Sequence, residues 1–358
     1  MKKKLSIKLI VIMLSPIIFI ANIITKRYPK FIENYYSTSA NKGIRQLLSL
    51  ITSIFPTSLA EFLIPSLFLI LIVGFIFLLV KIKKGGFSEQ VINLSTYVSV
   101  LYVLFMVLWG FNYNRLSFDK IAGLEITKSS KQELYDLCES LIDRANTLRG
   151  KVEENSQGVM TVSGGYKDVF KRAQKGYDKA AKLYPELGGK YGPPKKILVS
   201  KKMSYTGITG IYIPYTGEAN VNINITDYML PNTAAHEMAH QRGFAREDEA
   251  NYIAYIACTM HPDADFQYSG VMLAIVYSMN ALADVDRDMY KQLLKSYTPG
   301  VRRDINNDIE FWQKYKGKVE EVANKVNNTY LKSNGQQDGV QSYGRMVDLL
   351  LAEYKKEK

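Results

Sequence analysis

The sequence predicts an α+β chain, mostly α, in which three N-terminal transmembrane helices precede a domain carrying a small sheet. Three observations predict it. The first third contains long runs without a charged residue. The remainder repeats apolar residues at helical spacing. One stretch, Gly210 to Ile225, places Ile211, Ile213, Val221, Ile223 and Ile225 at steps of two around a Tyr-Thr-Gly turn, as paired strands do.

The first apolar run, Leu9 to Ile24, follows Met1-Lys2-Lys3-Lys4. It ends in Ile23-Ile24-Thr25-Lys26-Arg27 with no small-x-small cleavage site, so it reads as an uncleaved signal anchor. The second run, Phe62 to Val80, stops at Lys81, Lys83 and Lys84. The third, Val91 to Asn114, closes on Trp109, Phe111 and Tyr113 before Arg115, a pattern suited to a membrane interface. Each run can cross about 30 Å of hydrocarbon, and buried core helices seldom go so long without a charge. Four lysines before the first span and three after the second put those segments on the cytoplasmic side, although the first connecting loop is also basic. Gly43 to Phe55 is amphipathic and is expected along the membrane surface. Residues 1–115 are therefore expected to form a membrane domain and residues 116–358 a water-facing one.

Beyond the spans, Gln132 to Val152 places Leu134, Leu137, Cys138, Leu141 and Ile142 on one helical face. Tyr166 to Leu183 reads as a second amphipathic helix. Gly192-Pro193-Pro194 breaks the chain, and Lys196-Ile197-Leu198-Val199 reads as a short strand. After the paired strands the chain is mostly helical. A polar connector, Leu331 to Gly339, leads to a last helix from about Val340 to Glu357.

The net charge is +12, from 46 basic and 34 acidic residues. The excess is spread along the chain, with no zinc-finger, RNA-binding or helix-turn-helix signature, so it suits anionic lipid or an anionic envelope and not nucleic acid. Cys138 and Cys258 form no CxxC pair and are expected as buried thiols.

The chemistry lies in His236-Glu237-Met238-Ala239-His240. The chain has only three histidines. Two of them sit four apart, so on a helix both project from one face and can reach one metal ion. Glu237 stands beside that face as a general base. Gly243 suits the end of the helix. Glu247, Asp248 and Glu249 then open an apolar run. An acidic triplet in a first turn also simply favours the helix dipole. Glu247 and Glu249 lie about 200° apart on a helix, so one of them at most faces a metal shared with the histidines. Glu247 shares its face with Asn251 and is favoured as third ligand. Upstream, Gly210 to Asn222 is extended. Pro214 suits an edge strand, which could pair with a peptide substrate or form an ordinary hairpin.

With Gly-Ile-Tyr-x-Pro-x-Thr-Gly-Glu-Ala-Asn, His-Glu-x-x-His-Gln-x-Gly, Glu-Asp-Glu-Ala-Asn and the Ser333 to Val340 segment in view, the chain resembles an uncharacterised bacterial family of membrane-anchored, zincin-like proteins, a domain of unknown function. The resemblance covers most of the chain. The metal region is similar to gluzincins, in which His-Glu-x-x-His is followed by Glu-x-x-Ala-Asp or Glu-x-x-Ala-Asn. It implies a zincin-like zinc metallopeptidase domain with His236, His240 and Glu247 as ligands and Asn251 hydrogen-bonded to a ligand histidine. Metzincins carry a third ligand six residues on, which here is Arg246, so that pattern fails.

The expected activity is a membrane-anchored zinc-dependent metallopeptidase. It would hydrolyse peptide bonds with a zinc-activated water and Glu237 as general base. Tyr212, Tyr215 and His261 are candidate oxyanion donors, the two tyrosines also candidates for substrate binding. The expected place is a bacterial cell membrane, multi-pass, with the catalytic domain extracytoplasmic and a peptide or protein as substrate. The alternative is a non-catalytic zinc-binding membrane sensor or scaffold on a peptidase fold. An intramembrane protease is disfavoured, because Asn232-Thr233-Ala234-Ala235 and Gln241-Arg242 flank the motif.

Overall fold

In the computed structural model, residues 2–357 are described, without the side chains of Lys2, Lys3 and Lys4. The chain forms two compact units. The first comprises Met1–Leu116 and Ile213–Glu218, the second Ser117–Tyr212 and Ala219–Lys358.

In the first unit, α1 (Lys2–Thr25), α2 (Asn41–Ser53), α3 (Ala60–Lys84) and α4 (Phe87–Leu108) follow one another, with a π-helical turn over Ile32–Ala40. α1 and α3 pack against α4. Their outer surfaces are almost wholly apolar and exposed, among them Ile10, Ile17, Phe68 and Phe75. Several polar groups of this unit are turned inward. The Arg45 guanidinium donates to Asn41 Oδ1 at 2.7 Å and to the Ser37 carbonyl at 2.6 Å. Asn112 Nδ2 donates to the same Asn41 oxygen. Arg115 and Glu33 form a buried two-pronged ion pair. α2 is amphipathic in the same sense, with Arg45, Ser49 and Thr52 buried and Leu47, Leu50 and Ile51 exposed.

The segment Ile213–Glu218 is the tip of a hairpin. The Glu218 carboxylate accepts from the Leu59 and Ala60 amides at 3.1 and 2.9 Å, capping the start of α3. Anionic charge there opposes the partial positive charge of the helix end. Thr52 Oγ1 donates to the Thr216 carbonyl, and Tyr215 Oη to the Leu101 carbonyl. Gly217 has φ +67, and a Cβ there would meet the Ser49 nitrogen at 2.9 Å, so only glycine fits this turn.

The second unit runs through α5 (Lys131–Arg149), α6 (Gly165–Arg172), α7 (Gln174–Ala180), β1 (Lys195–Lys196), α8 (Ser200–Ser204), β2 (Gly210–Ile213) and β3 (Glu218–Val221). It continues through α9 (Leu230–Gln241), α10 (Glu247–Thr259), α11 (Ala264–Val285), α12 (Pro299–Gln313), α13 (Lys318–Ser333) and α14 (Met346–Glu357). α5 starts with a complete capping box between Ser130 and Glu133. α9, α10 and α11 pack on one another, with α5 and α14 completing a core of residues such as Leu141, Ile142, Tyr252, Ile253 and Phe266. The strand order is β1-β3-β2, with β1 parallel to β3, which leaves β2 at an edge.

Several expectations need correction. Among the described residues four helices, not three, are long and apolar enough to cross a membrane: Leu5–Thr25, Ala60–Lys84, Phe87–Leu108 and Ala264–Val285. The most apolar windows of the first three are 0, 0 and 11% buried, whereas that of the fourth is 56% buried. α11 carries no charge from Phe266 to Ala283, yet lies packed among α5, α9 and α10. Gly270 allows its close approach to Cys258. The expected strand over Lys196 to Val199 shrinks to Lys195–Lys196, because the chain turns at Val199 into α8 and leaves Leu198 and Val199 exposed. Tyr166 to Leu183 forms two helices, and the last helix begins at Met346 after a 3₁₀ turn over Gly339–Arg345. Cys138 and Cys258 are fully buried free thiols, and burial pushes Cys138 up to about 12.

Asp304 anchors this core. It is fully buried and accepts from Arg149 Nε at 2.6 Å, Tyr268 Oη at 2.7 Å and the Met160 amide at 2.8 Å. Removing one partner of a buried pair strands the other charge. Asp304→Ala is expected to cost about 3–5 kcal/mol, seen as a fall in the midpoint of denaturant unfolding in detergent. Pairing it with Arg149→Met should restore part of the loss.

Candidate metal centre

α9 carries Pro231 in its first turn, where the missing N–H is no loss. Asn232 ties that turn to α11 through Ser269. The helix ends at Gln241. Gly243, with φ +84, reverses the chain, and its amide donates to the His240 carbonyl at 2.8 Å. α10 then starts at Glu247 and packs back along α9. This reversal is why a gap of only seven residues brings Glu247 to the histidines.

The two imidazoles lie nearly perpendicular, with ring centres 4.7 Å apart. His240 Nδ1 is 2.7 Å from the Phe244 carbonyl. A carbonyl only accepts, so Nδ1 carries the hydrogen and Nε2 holds the lone pair of the neutral ring. His236 Nδ1 is 2.8 Å from Asn251 Oδ1. The Asn251 amide nitrogen donates to the Tyr343 carbonyl at 3.2 Å, which fixes Oδ1 as the acceptor. Both Nε2 atoms therefore face Glu247, and each offers a lone pair whenever its ring is neutral. Glu247 Oε2 is 3.2 Å from His236 Nε2 and 3.4 Å from His240 Nε2. All three ligand atoms lie within 4.8 Å of one another.

This donor set fits zinc. With ligands at about 2.0–2.1 Å, the edge of a tetrahedron is roughly 3.3 Å. The two Glu247–imidazole separations are close to that edge, and two imidazole nitrogens with one carboxylate oxygen are donor types that would hold zinc.

Burial works against a charged His240, but the Glu247 carboxylate overrides it and pushes His240 up to about 9. Burial likewise works against a charged Glu247, and the two histidines override it and hold that carboxyl well below the usual range. Metal and protons compete for the same atoms.

Glu237 is buried beside this trio. Burial first, and the Glu247 charge in addition, push its carboxyl up to about 7 against the pull of both histidines. A Cβ at Gly210 would overlap the Glu237 carboxylate, so the bare backbone of the edge strand β2 lies directly against this side chain.

The other candidates fall elsewhere. Glu249 is buried and accepts from the Phe118 amide at 3.0 Å, with Arg246 at 3.5 Å. Tyr215 is engaged with the Leu101 carbonyl in the first unit. His261 is fully buried, accepts from the Asp263 amide, faces the Arg172 carbonyl and stacks on Phe266 at 3.8 Å. His261 lies outside the cluster of His236, His240 and Glu247. Tyr212 is buried on β2, two residues from Gly210 and so on the same strand face.

Three residues near the trio have no short-range signal. Tyr343 lies nearly parallel to His236, with ring centres 6.5 Å apart. Gln336 Oε1 accepts from the Glu247 amide at 3.2 Å. Arg242 is fully buried between Tyr177 and Tyr191, with its guanidinium 3.7 and 4.7 Å from their ring centres. It donates to the Leu187 and Met238 carbonyls and to Gln174. The Ser333 to Val340 motif held Gln336, but nothing in it gave that side chain a role.

The sequence pattern of one family matches residues 36–351. The chain belongs to the DUF3810 family, described as proteins of unknown function. No curated protein and no solved structure matches it.

Arg242 locks the turn that this DUF3810 chain uses to bring α10 to α9. Arg242→Lys keeps the charge but loses the planar fork and both ring contacts. It is expected to destabilise the chain by roughly 2–3 kcal/mol, measured as a lower thermal midpoint.

Proposed function

We propose that this DUF3810 protein is a membrane-anchored, zinc-dependent metallopeptidase. The observation that carries the reading is the convergence of two oriented imidazole Nε2 atoms and one carboxylate oxygen at 3.2–3.4 Å, with a buried second carboxylate alongside. His236, His240 and Glu247 would hold the zinc. When bound, zinc supplies a Lewis acid that polarises a peptide carbonyl and acidifies water.

The chain's own residues supply the rest. Asn251 and the Phe244 carbonyl hold the ring orientations. Glu237 accepts a proton from the attacking water as its oxygen adds to the carbonyl carbon. It delivers that proton to the amine nitrogen as the C–N bond breaks. A carboxyl pushed up toward neutral pH suits both transfers. An extended substrate can pair with the open edge of β2, whose Gly210 brings the peptide backbone past Glu237.

In this reading α1, α3 and α4 cross a bacterial cell membrane with the N-terminus inside, and the metal domain is extracytoplasmic. α11 is a core helix, because most of its apolar surface is already covered by protein.

The test uses the full-length chain purified in detergent. About one zinc per chain is expected by mass spectrometry. His236→Ala and Glu247→Ala should abolish it, and Asn251→Ala should weaken it by about 10–100-fold. Glu237→Gln should keep the zinc and lose hydrolysis of a fluorogenic peptide mixture by about 10²–10⁴-fold. Full activity in Glu237→Gln removes the mechanism. Zinc without turnover in the wild type favours the sensor.

A further inference from the structure

α13 buries one face and presents a second. Leu331 is fully buried, and Asn327 and Asn328 meet Tyr343 and Val340. On the opposite side Val319, Val322 and Val326 are 57, 60 and 65% exposed, and exposed Tyr330 continues the row. Their spacing of three and four residues makes one straight stripe about 16 Å long. Isolated exposed apolar residues are ordinary, but an aligned row on a single helix is a patch.

The charges around the stripe are asymmetric. Lys318, Lys325 and Lys332 line one flank, about 80–120° from its centre. Glu320 lies on the other flank, turned toward Gly207, and Glu321 lies farther round than the lysines. A second exposed apolar pair, Leu198 and Val199, stands beside Lys201 and Lys202 in α8. Tyr205, just after α8, packs edge-on against Tyr315, just before α13, with ring centres 5.0 Å apart. Apolar side chains bordered by lysines form the pattern of a helix lying in the interface of an anionic bilayer.

We propose that the α13 stripe, with Leu198 and Val199, is a docking surface for the headgroup region of an anionic lipid leaflet. The occupant follows from charge complementarity. Lysines at the border attract anionic headgroups while the valines enter the acyl boundary. The same chain carries apolar helices that could span a membrane, which keeps a bilayer at high effective concentration. A second copy of this lysine-bordered surface would bring like charges together.

The full-length chain in lipid nanodiscs tests this. V322C, V326C and, as control, N324C on the far side of α13 are each labelled with an environment-sensitive fluorophore. The native Cys138 and Cys258 are fully buried. Quenchers are carried on the lipid chains. In discs containing phosphatidylglycerol, quenching at V322C and V326C is expected to exceed that at N324C several-fold. The difference should shrink in pure phosphatidylcholine, in high salt, and in the triple change Lys318→Gln, Lys325→Gln, Lys332→Gln. Equal quenching at all three positions overturns the proposal. So does a blue-shifted label at V322C that lipid quenchers do not reach, which would mean that protein covers the stripe. Zinc content is measured alongside, so that failure of the surface is distinguishable from failure of the metal site.

Discussion

The bond from His240 Nδ1 to the Phe244 carbonyl is the constraint on which the site depends. It closes a loop from α9 onto the turn that follows, so ring orientation and turn geometry are set together. The turn in turn needs Gly243 in a left-handed conformation and Arg242 buried between two tyrosines. Only with the chain reversed so tightly does α10 begin where Glu247 meets both imidazoles. Asn251, one helical turn on, then orients the other ring. The ligand geometry is thus a by-product of packing two helices across a five-residue link.

That arrangement was partly legible in the sequence. His236, Glu237 and His240 stand out because four-residue spacing puts the two histidines on one helical face, and the helix the spacing predicts is α9. Glu247 and Asn251 were legible for the same reason. Their separation from Glu249 by about 200° is a property of any helix. Gln336 and Tyr343 were not. They reach the site from 89 and 92 residues away through one side-chain oxygen and one backbone carbonyl. Neither contact leaves a local pattern.

The membrane side teaches a related lesson. α11 is as free of charge over its middle as the other long apolar helices, yet its surroundings are helices of the same unit. Hydropathy measures the wish to leave water and is silent on whether lipid or protein replaces it. The sheet shows the converse. Leu198 and Val199 read as part of a short strand but lie exposed where the chain turns into α8. Among the buried polar groups of the first unit, Arg45 was read on an amphipathic surface stretch and Asn112 inside the third apolar run, and neither reading showed their inward hydrogen bonds. Their burial follows from a unit whose outer surface is apolar.

The six residues Ile213–Glu218 have a consequence for biosynthesis. They fold with the first unit, where Glu218 caps α3 and Gly217 sits against α2. That unit therefore lacks a structural piece until about a hundred further residues have left the ribosome. At roughly 5–20 residues per second, the delay is about 5–20 s. Through that interval the start of α3 waits without its carboxylate cap and the polar side of α2 without its covering turn. The order of synthesis and the order of completion differ. A nascent chain stalled before residue 218 would hold an unfinished membrane unit, a natural substrate for quality-control proteases or holding chaperones.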